Sequence, residues 1–261
     1  MTQPDRSFMV EKLPVEVYPT NLALGQAAGQ RAVEILQAAV AARGQANLVL
    51  ATGNSQLTFL QALGRLPGVD WGKVQVFHMD EYAGMQPDHA ASFRRFLREK
   101  IIDRVHPAAF HGIAGDATDL QAECNRYAGL LQDHPADLCC LGIGENGHLA
   151  FNDPPYADFS DPAWVKIVRL DEKSRRQQVG EGHFPSLEDV PTHALTMTIP
   201  ALLAAKAMLC IVPEARKAQA VRSALTGPLS ETCPASLLRK AGHCRLYLDT
   251  QSAGLLVDAR R

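Results

Sequence analysis

A chain of 261 residues, 46% hydrophobic and 21% charged, has the size and balance of an ordinary globular protein. At that length folding buries roughly three-quarters of the unfolded surface, so small stapled scaffolds are excluded. The 26 basic and 28 acidic residues leave a net charge of −2 without long single-sign blocks, which argues against nucleic acid or a membrane surface as the main partner.

The opening stretch MTQPDRSFMVEKLP carries charges and prolines where a signal peptide would be apolar, and no apolar run is long enough to span a bilayer, so a cytoplasmic location is expected. Helix is predicted over residues 28–42, with Val33, Leu36 and Val40 at helical spacing and Gly44 as the stop. Strand-like runs follow at 47–51, 74–78, 137–143, 165–170, 194–199, 207–212 and 245–248. Between them, 57–63, 91–102, 120–131 and 214–225 read as helices. Cys124, Cys139, Cys140, Cys210, Cys233 and Cys244 form no C-x-x-C pair and no zinc-like spacing, so they are expected to be reduced and structural. With no repeat and no linker, the pattern is that of one α/β domain over 1–261, an open, mainly parallel sheet flanked by helices. Such sheets bind ligands beyond the carboxyl ends of their strands.

Three strand ends carry unusual residues. Thr52, Gly53, Asn54 and Ser55 follow a buried-type strand and precede a helix. Glycine, hydroxyls and free N–H groups there outline a phosphate cradle, although a plain βα turn with a polar cap reads equally well. At Phe77-His78-Met79-Asp80-Glu81-Tyr82 a strand runs into two adjacent carboxylates, and a carboxylate in a cleft becomes a general base when burial or a like charge raises its pKa. The third is Gly142-Ile143-Gly144-Glu145-Asn146-Gly147-His148, followed by Leu149-Ala150-Phe151-Asn152-Asp153-Pro154-Pro155. It matches G-x-G-x-x-G formally, yet Asn152, Asp153 and two prolines break the chain where a dinucleotide-binding helix would have to run. What remains is a glycine-rich loop presenting His148, with Asn146 and Asp153 close enough in sequence to orient the imidazole.

Together these segments resemble the glucosamine-6-phosphate deaminase/6-phosphogluconolactonase superfamily, and its deaminase branch in particular. The resemblance also takes in Ala194-Leu195-Thr196 and the run from Ile211 to Lys217, and it spans roughly residues 20–250. It implies a Rossmann-like open α/β fold and an enzyme acting on a small sugar phosphate with no cofactor and no metal. Asp80 would move a proton between C2 and C1 of a hexosamine phosphate, His148 would assist ring opening with Asn146 and Asp153, and ammonia would leave. Thr52, Gly53, Asn54 and Ser55 would surround the phosphate with Lys217 as counter-charge, and Glu81 would join the substrate-binding residues.

Two positions depart from the deaminase pattern. Asn146 and Asp153 stand where the branch has aspartate and glutamate, so no proton relay runs through Asn146 and the C4 epimer of the substrate stays open. The phosphate arginine falls to Arg175 or Arg176, with Arg175 chosen, although strict alignment points nearer Gln178. Monomer and homo-oligomer are both compatible with the sequence. Alternative readings are lactone hydrolysis of the 6-phosphogluconolactonase type, or a non-catalytic sugar-phosphate-binding protein; the M-D-E-Y and A-F-N-D-P segments weigh against the lactonase.

Overall fold

A computed structural model describes residues 3–154, 156–180 and 182–256. Its elements in chain order are β1 (Arg6–Val10), β2 (Leu13–Tyr18), α1 (Asn21–Arg43), β3 (Ala46–Leu50), α2 (Leu57–Leu63), β4 (Val74–His78) and β5 (Asp80–Tyr82). Next come α3 (Phe93–Leu97), α4 (Asp103–Val105), β6 (Ala109–His111), α5 (Leu120–Asp133), β7 (Leu138–Leu141), β8 (Val165–Arg169) and α6 (Glu172–Gly180). The chain finishes with β9 (His193–Met197), α7 (Ile199–Leu203), β10 (Met208–Val212), α8 (Ala218–Thr226) and β11 (Cys244–Asp249).

Eight strands form one sheet in the order β1-β2-β11-β10-β7-β3-β4-β6. All its neighbours pair in parallel except the β1–β2 hairpin at the edge. Its inner strands are continuous apolar runs because helices cover both faces. Val49, Cys139, Leu141, Cys210 and Val212 pack on one face with α5, α7 and α8. Leu48, Leu50, Leu138, Cys140 and Ile211 pack on the other with α1 and α2. The six cysteines are free, and five of them are buried.

A second, antiparallel sheet of three short strands, β5-β9-β8, was not foreseen from the apolar runs. The chain enters it directly from the main sheet, since β4 ends at His78 and β5 begins at Asp80, with Met79 between. Met197 N–H donates to the Met79 carbonyl at 2.7 Å, tying the two sheets together at that point. An aromatic cluster of Tyr82, Phe93, Phe151 and Phe184 packs the small sheet against the His148 loop.

The first helix begins earlier than the periodicity suggested, because the Thr20 hydroxyl accepts from Ala23 N–H and caps it. It ends as expected at Gly44, left-handed at φ 77°. The expected helix over 91–102 is α3 followed by a π turn, Arg98–Ile102, and the strand pair β1–β2 and β6 were missed. Pro155, named above as a chain breaker, lies outside the described residues. Among the described residues, no helix is long and apolar enough to cross a membrane.

Helices α1 and α2 approach closely through Gly25 and Gly29, one turn apart on α1. A Cβ at Gly25 would lie 2.7 Å from the Thr58 backbone carbon, and one at Gly29 would lie 3.0 Å from Ala62 Cβ. In an exposed helix Gly→Ala stabilises by up to about 1 kcal/mol. Here the sign reverses: Gly25→Ala is predicted to destabilise by roughly 1–3 kcal/mol through overpacking. Urea unfolding checks this as a lowered midpoint with an unchanged slope; a raised midpoint would contradict the close approach.

Candidate active site

The crossovers from β3 proceed to β4 and β6 on one side of the main sheet, whereas those from β7 proceed to β10 and β11 on the other. A crevice opens at such a reversal, beyond the carboxyl ends of β3 and β7. The cleft found there is lined by Thr52, Gly53, Asn54, Ser55, Asp80, Gly144, His148, Gln178 and Lys217, among others. Thus the three motif-bearing strand ends do meet.

Gly53 has φ 97° and ψ 165°, a conformation strained for any L side chain, and nothing would obstruct a Cβ there. The glycine is therefore demanded by the backbone turn that brings Thr52, Asn54 and Ser55 to the cleft. Gln56 anchors that turn: its Nε2 donates to the Ile211 carbonyl of β10. Lys217 arrives from the other side. Glu214, also at positive φ (81°), redirects the chain after β10 into the short helical turn Ala215–Lys217, where Lys217 is almost fully buried in the cleft wall. The Arg216 guanidinium bonds Glu214 and Glu145, connecting this turn to the His148 loop.

Asp80, 7% exposed, is the first residue of the small sheet. Burial, with the Glu81 carboxylate beside it, pushes its carboxyl up to about 8. Glu81 itself is turned away from the cleft, because successive side chains on a strand point to opposite faces. It accepts from Ser92 Oγ at 2.8 Å and from the Tyr82, Phe93 and Arg94 backbone N–H groups, with the Arg94 guanidinium 3.4 Å away. Its expected place among the substrate-binding residues is corrected accordingly: it is a buried structural carboxylate adjoining the base candidate.

His148 lies opposite, in a place that Gly144 leaves open: a Cβ on Gly144 would fall 2.1 Å from His148 Cε1 and 2.2 Å from Nε2. The G-x-G spacing thus makes room for an imidazole. His148 Nδ1 is 3.0 Å from Asp153 Oδ1. Asn146 supports both, accepting from His148 N–H (3.0 Å) and donating from Nδ2 to Asp153 Oδ1 (2.9 Å). Burial acts to raise the Asp153 carboxyl, but the bonds from His148, Asn146 and Ser174 prevail and hold it down to about 2. With the ionised Asp153 beside Nδ1, the carboxylate favours the tautomer that carries its proton there, and His148 lines the cleft with Nε2 as its other ring nitrogen.

Arg175 is not brought to this site. Its guanidinium donates to the Leu187 and Val190 carbonyls at 2.5 and 2.8 Å, bracing the loop after α6, and Gln178, one turn later, lines the cleft instead. Sequence register pointed toward Gln178; nothing in the sequence pointed to Ser174. Among the described residues, no group of three or more His, Cys, Asp or Glu side chains could hold a metal ion.

The family model for glucosamine-6-phosphate isomerases/6-phosphogluconolactonase matches residues 19–247. A glucosamine-6-phosphate deaminase from Bacillus cytotoxicus is 35% identical over 226 residues, covering 87% of this chain and 84% of the relative. One from Bacillus cereus is equally similar over the same coverage. Among solved structures, a monomeric glucosamine-6-phosphate deaminase superposes with a TM-score of 0.85 at 31% identity, over 92% of this chain and 99% of that one. A 6-phosphogluconolactonase from Shewanella baltica shares the fold with a TM-score of 0.73 at 23% identity, over 93% and 99%. The chain belongs to the glucosamine-6-phosphate isomerase/6-phosphogluconolactonase family.

Proposed function

We propose that the protein converts a hexosamine 6-phosphate, with glucosamine 6-phosphate as the first candidate, to a ketohexose 6-phosphate and ammonia. The observation that carries this reading is Asp80, a buried carboxyl with its affinity for a proton raised to about 8, in the same cleft as a carboxylate-supported histidine. A base that takes a proton from carbon and returns it to the neighbouring carbon benefits from a pKa near the working pH.

In this reading Lys217 and the Thr52–Ser55 turn hold the phosphate, a remote handle whose binding energy places the reacting carbons. His148 Nε2 takes the proton of the anomeric hydroxyl as the C1–O5 bond breaks and returns it to O5, giving the open-chain aldehyde. Asp80 removes the proton from C2 and delivers it to C1, while a proton passes from the C2 ammonium group to O1, so that C1 becomes CH2OH and C2 an iminium carbon. Water adds to that carbon and ammonia departs, so one water enters for each ammonia released.

The decisive assay follows ammonium release from glucosamine 6-phosphate and galactosamine 6-phosphate, with 6-phosphogluconolactone hydrolysis alongside. Release from an amino sugar is expected; lactone hydrolysis alone would overturn the reading. Asp80→Asn should lower kcat about 10²–10⁴-fold, the range for loss of a positioned general base. Near-normal turnover would remove Asp80 from that role. The same variant should be more heat-stable than the parent. Because the folded-state pKa of Asp80 exceeds its unfolded value, ionisation costs stability increasingly as pH rises from about 4 to about 8. The gain in Tm should therefore be larger at pH 8.5 than at pH 5, and the reverse order would contradict the raised pKa. Lys217→Ala should chiefly raise KM, by about 10- to 100-fold for a lost charge-assisted contact, and an unchanged KM would exclude it from the phosphate site.

A further inference from the structure

Ser174 takes part in none of the steps above, yet it is buried against the histidine–carboxylate pair. It projects from the first turn of α6, and its Oγ lies 2.5 Å from Asp153 Oδ1, 3.4 Å from His148 Nδ1 and 3.5 Å from Asn146 Nδ2. The relative exposure of Ser174 is 3% and that of Asp153 is 0%.

A hydroxyl has one proton to give. At these distances it goes to the ionised carboxylate, the nearer and charged acceptor. Oδ1 of Asp153 then receives three donors at once, from His148, Asn146 and Ser174, while its Oδ2 is buried with no hydrogen-bond partner. Three donors from two segments thus converge on one oxygen. His148, Asn146 and Asp153 all belong to the loop after β7, whereas Ser174 arrives from α6, so it ties the pair to a separate rigid element. The same helix presents Gln178, four residues on and on the same face, to the cleft. The wall that meets the ligand and the support of the histidine are consequently one piece of structure.

We infer that Ser174 is a positioning residue for His148, pinning Asp153 Oδ1 so that the imidazole keeps its Nδ1–H on the carboxylate and its Nε2 toward the cleft. The inference rests on the assignment of His148 and Asp153 to ring opening. Without the hydroxyl the carboxylate loses one of three fixed donors and turns about its Cβ–Cγ bond, and the imidazole loses its fixed orientation.

The test uses the full chain with Ser174→Ala and the isosteric pair Ser174→Thr and Ser174→Val, one with and one without a hydroxyl. Two readouts are needed: kinetics of ammonium release, and the far-downfield ¹H NMR resonance of the Nδ1 proton, identified by its loss in His148→Gln. The expected result is a 10- to 100-fold fall in kcat for the Ala and Val variants with KM within about twofold, and a displaced resonance in both. Thr should restore both readouts, which a purely space-filling role would not produce. Equal behaviour of Thr and Val, an unchanged kcat and resonance in Ala, or no such resonance in the parent protein would overturn the inference. If the parent released no ammonium, the proposed reaction would fail, and the resonance in the Thr and Val variants would still decide whether Ser174 holds the pair.

Discussion

A carboxylate can be kept out of water only where the backbone leaves it little alternative, and the passage of one strand from the large sheet into the small one provides such a place. Between β4 and β5 the chain has Met79 alone, held by Met197 across the seam. Asp80, the next residue, is thereby placed in the cleft wall at the boundary between two sheets. Alternation along the strand then sends Glu81 into the protein, where Ser92 and the Phe93 and Arg94 backbone satisfy it. The adjacent buried carboxylate in turn makes Asp80 harder to ionise. Two acidic neighbours are consequently separated by geometry into a buried structural group and a cleft-lining carboxyl with a raised pKa.

The rest of the cleft is arranged around that carboxyl by devices of the same kind. Positive φ at Gly53 turns the backbone after β3, and positive φ at Glu214 does so after β10. Gly144 contributes by the absence of a side chain, since any Cβ would occupy the place of the His148 ring. The imidazole is then held by Asp153, whose carboxylate stays ionised in a buried setting because three donors address it. Asn146 supplies one of these donors. An amide there does not transfer protons, but it can donate to the carboxylate and accept from the loop backbone at once, which an ionised aspartate could not do.

The parallel sheet was legible because its inner strands are apolar on both faces, and the strand-end residues stood out against those runs. Thr52, Asp80, His148 and Lys217 were identifiable from that position and from the resemblance they carry. The second sheet was not legible: its strands are short, and Val165–Arg169 is buried only at Val165 and Val168, an irregular pattern that does not reveal which sheet it joins. Glu81 was misplaced because adjacency to Asp80 in sequence means opposition in a strand. Arg175 was misplaced because two arginines on a short polar helix carry no periodic signal, and the loop carbonyls that take up the Arg175 guanidinium follow it in sequence without any motif. Ser174 could not be found at all by spacing, since it meets Asp153 only through the packing of α6 on the loop.

The most direct measurement is the titration of the Asp80 carboxyl itself, by ¹³C NMR on protein labelled at the aspartate side-chain carboxyls, with Asp80→Asn to assign the signal. One aspartate resonance is expected to titrate near pH 8 and to be missing from the variant. A signal lost in Asp80→Asn that titrates near pH 4, as an ordinary solvated carboxyl does, would contradict the raised pKa.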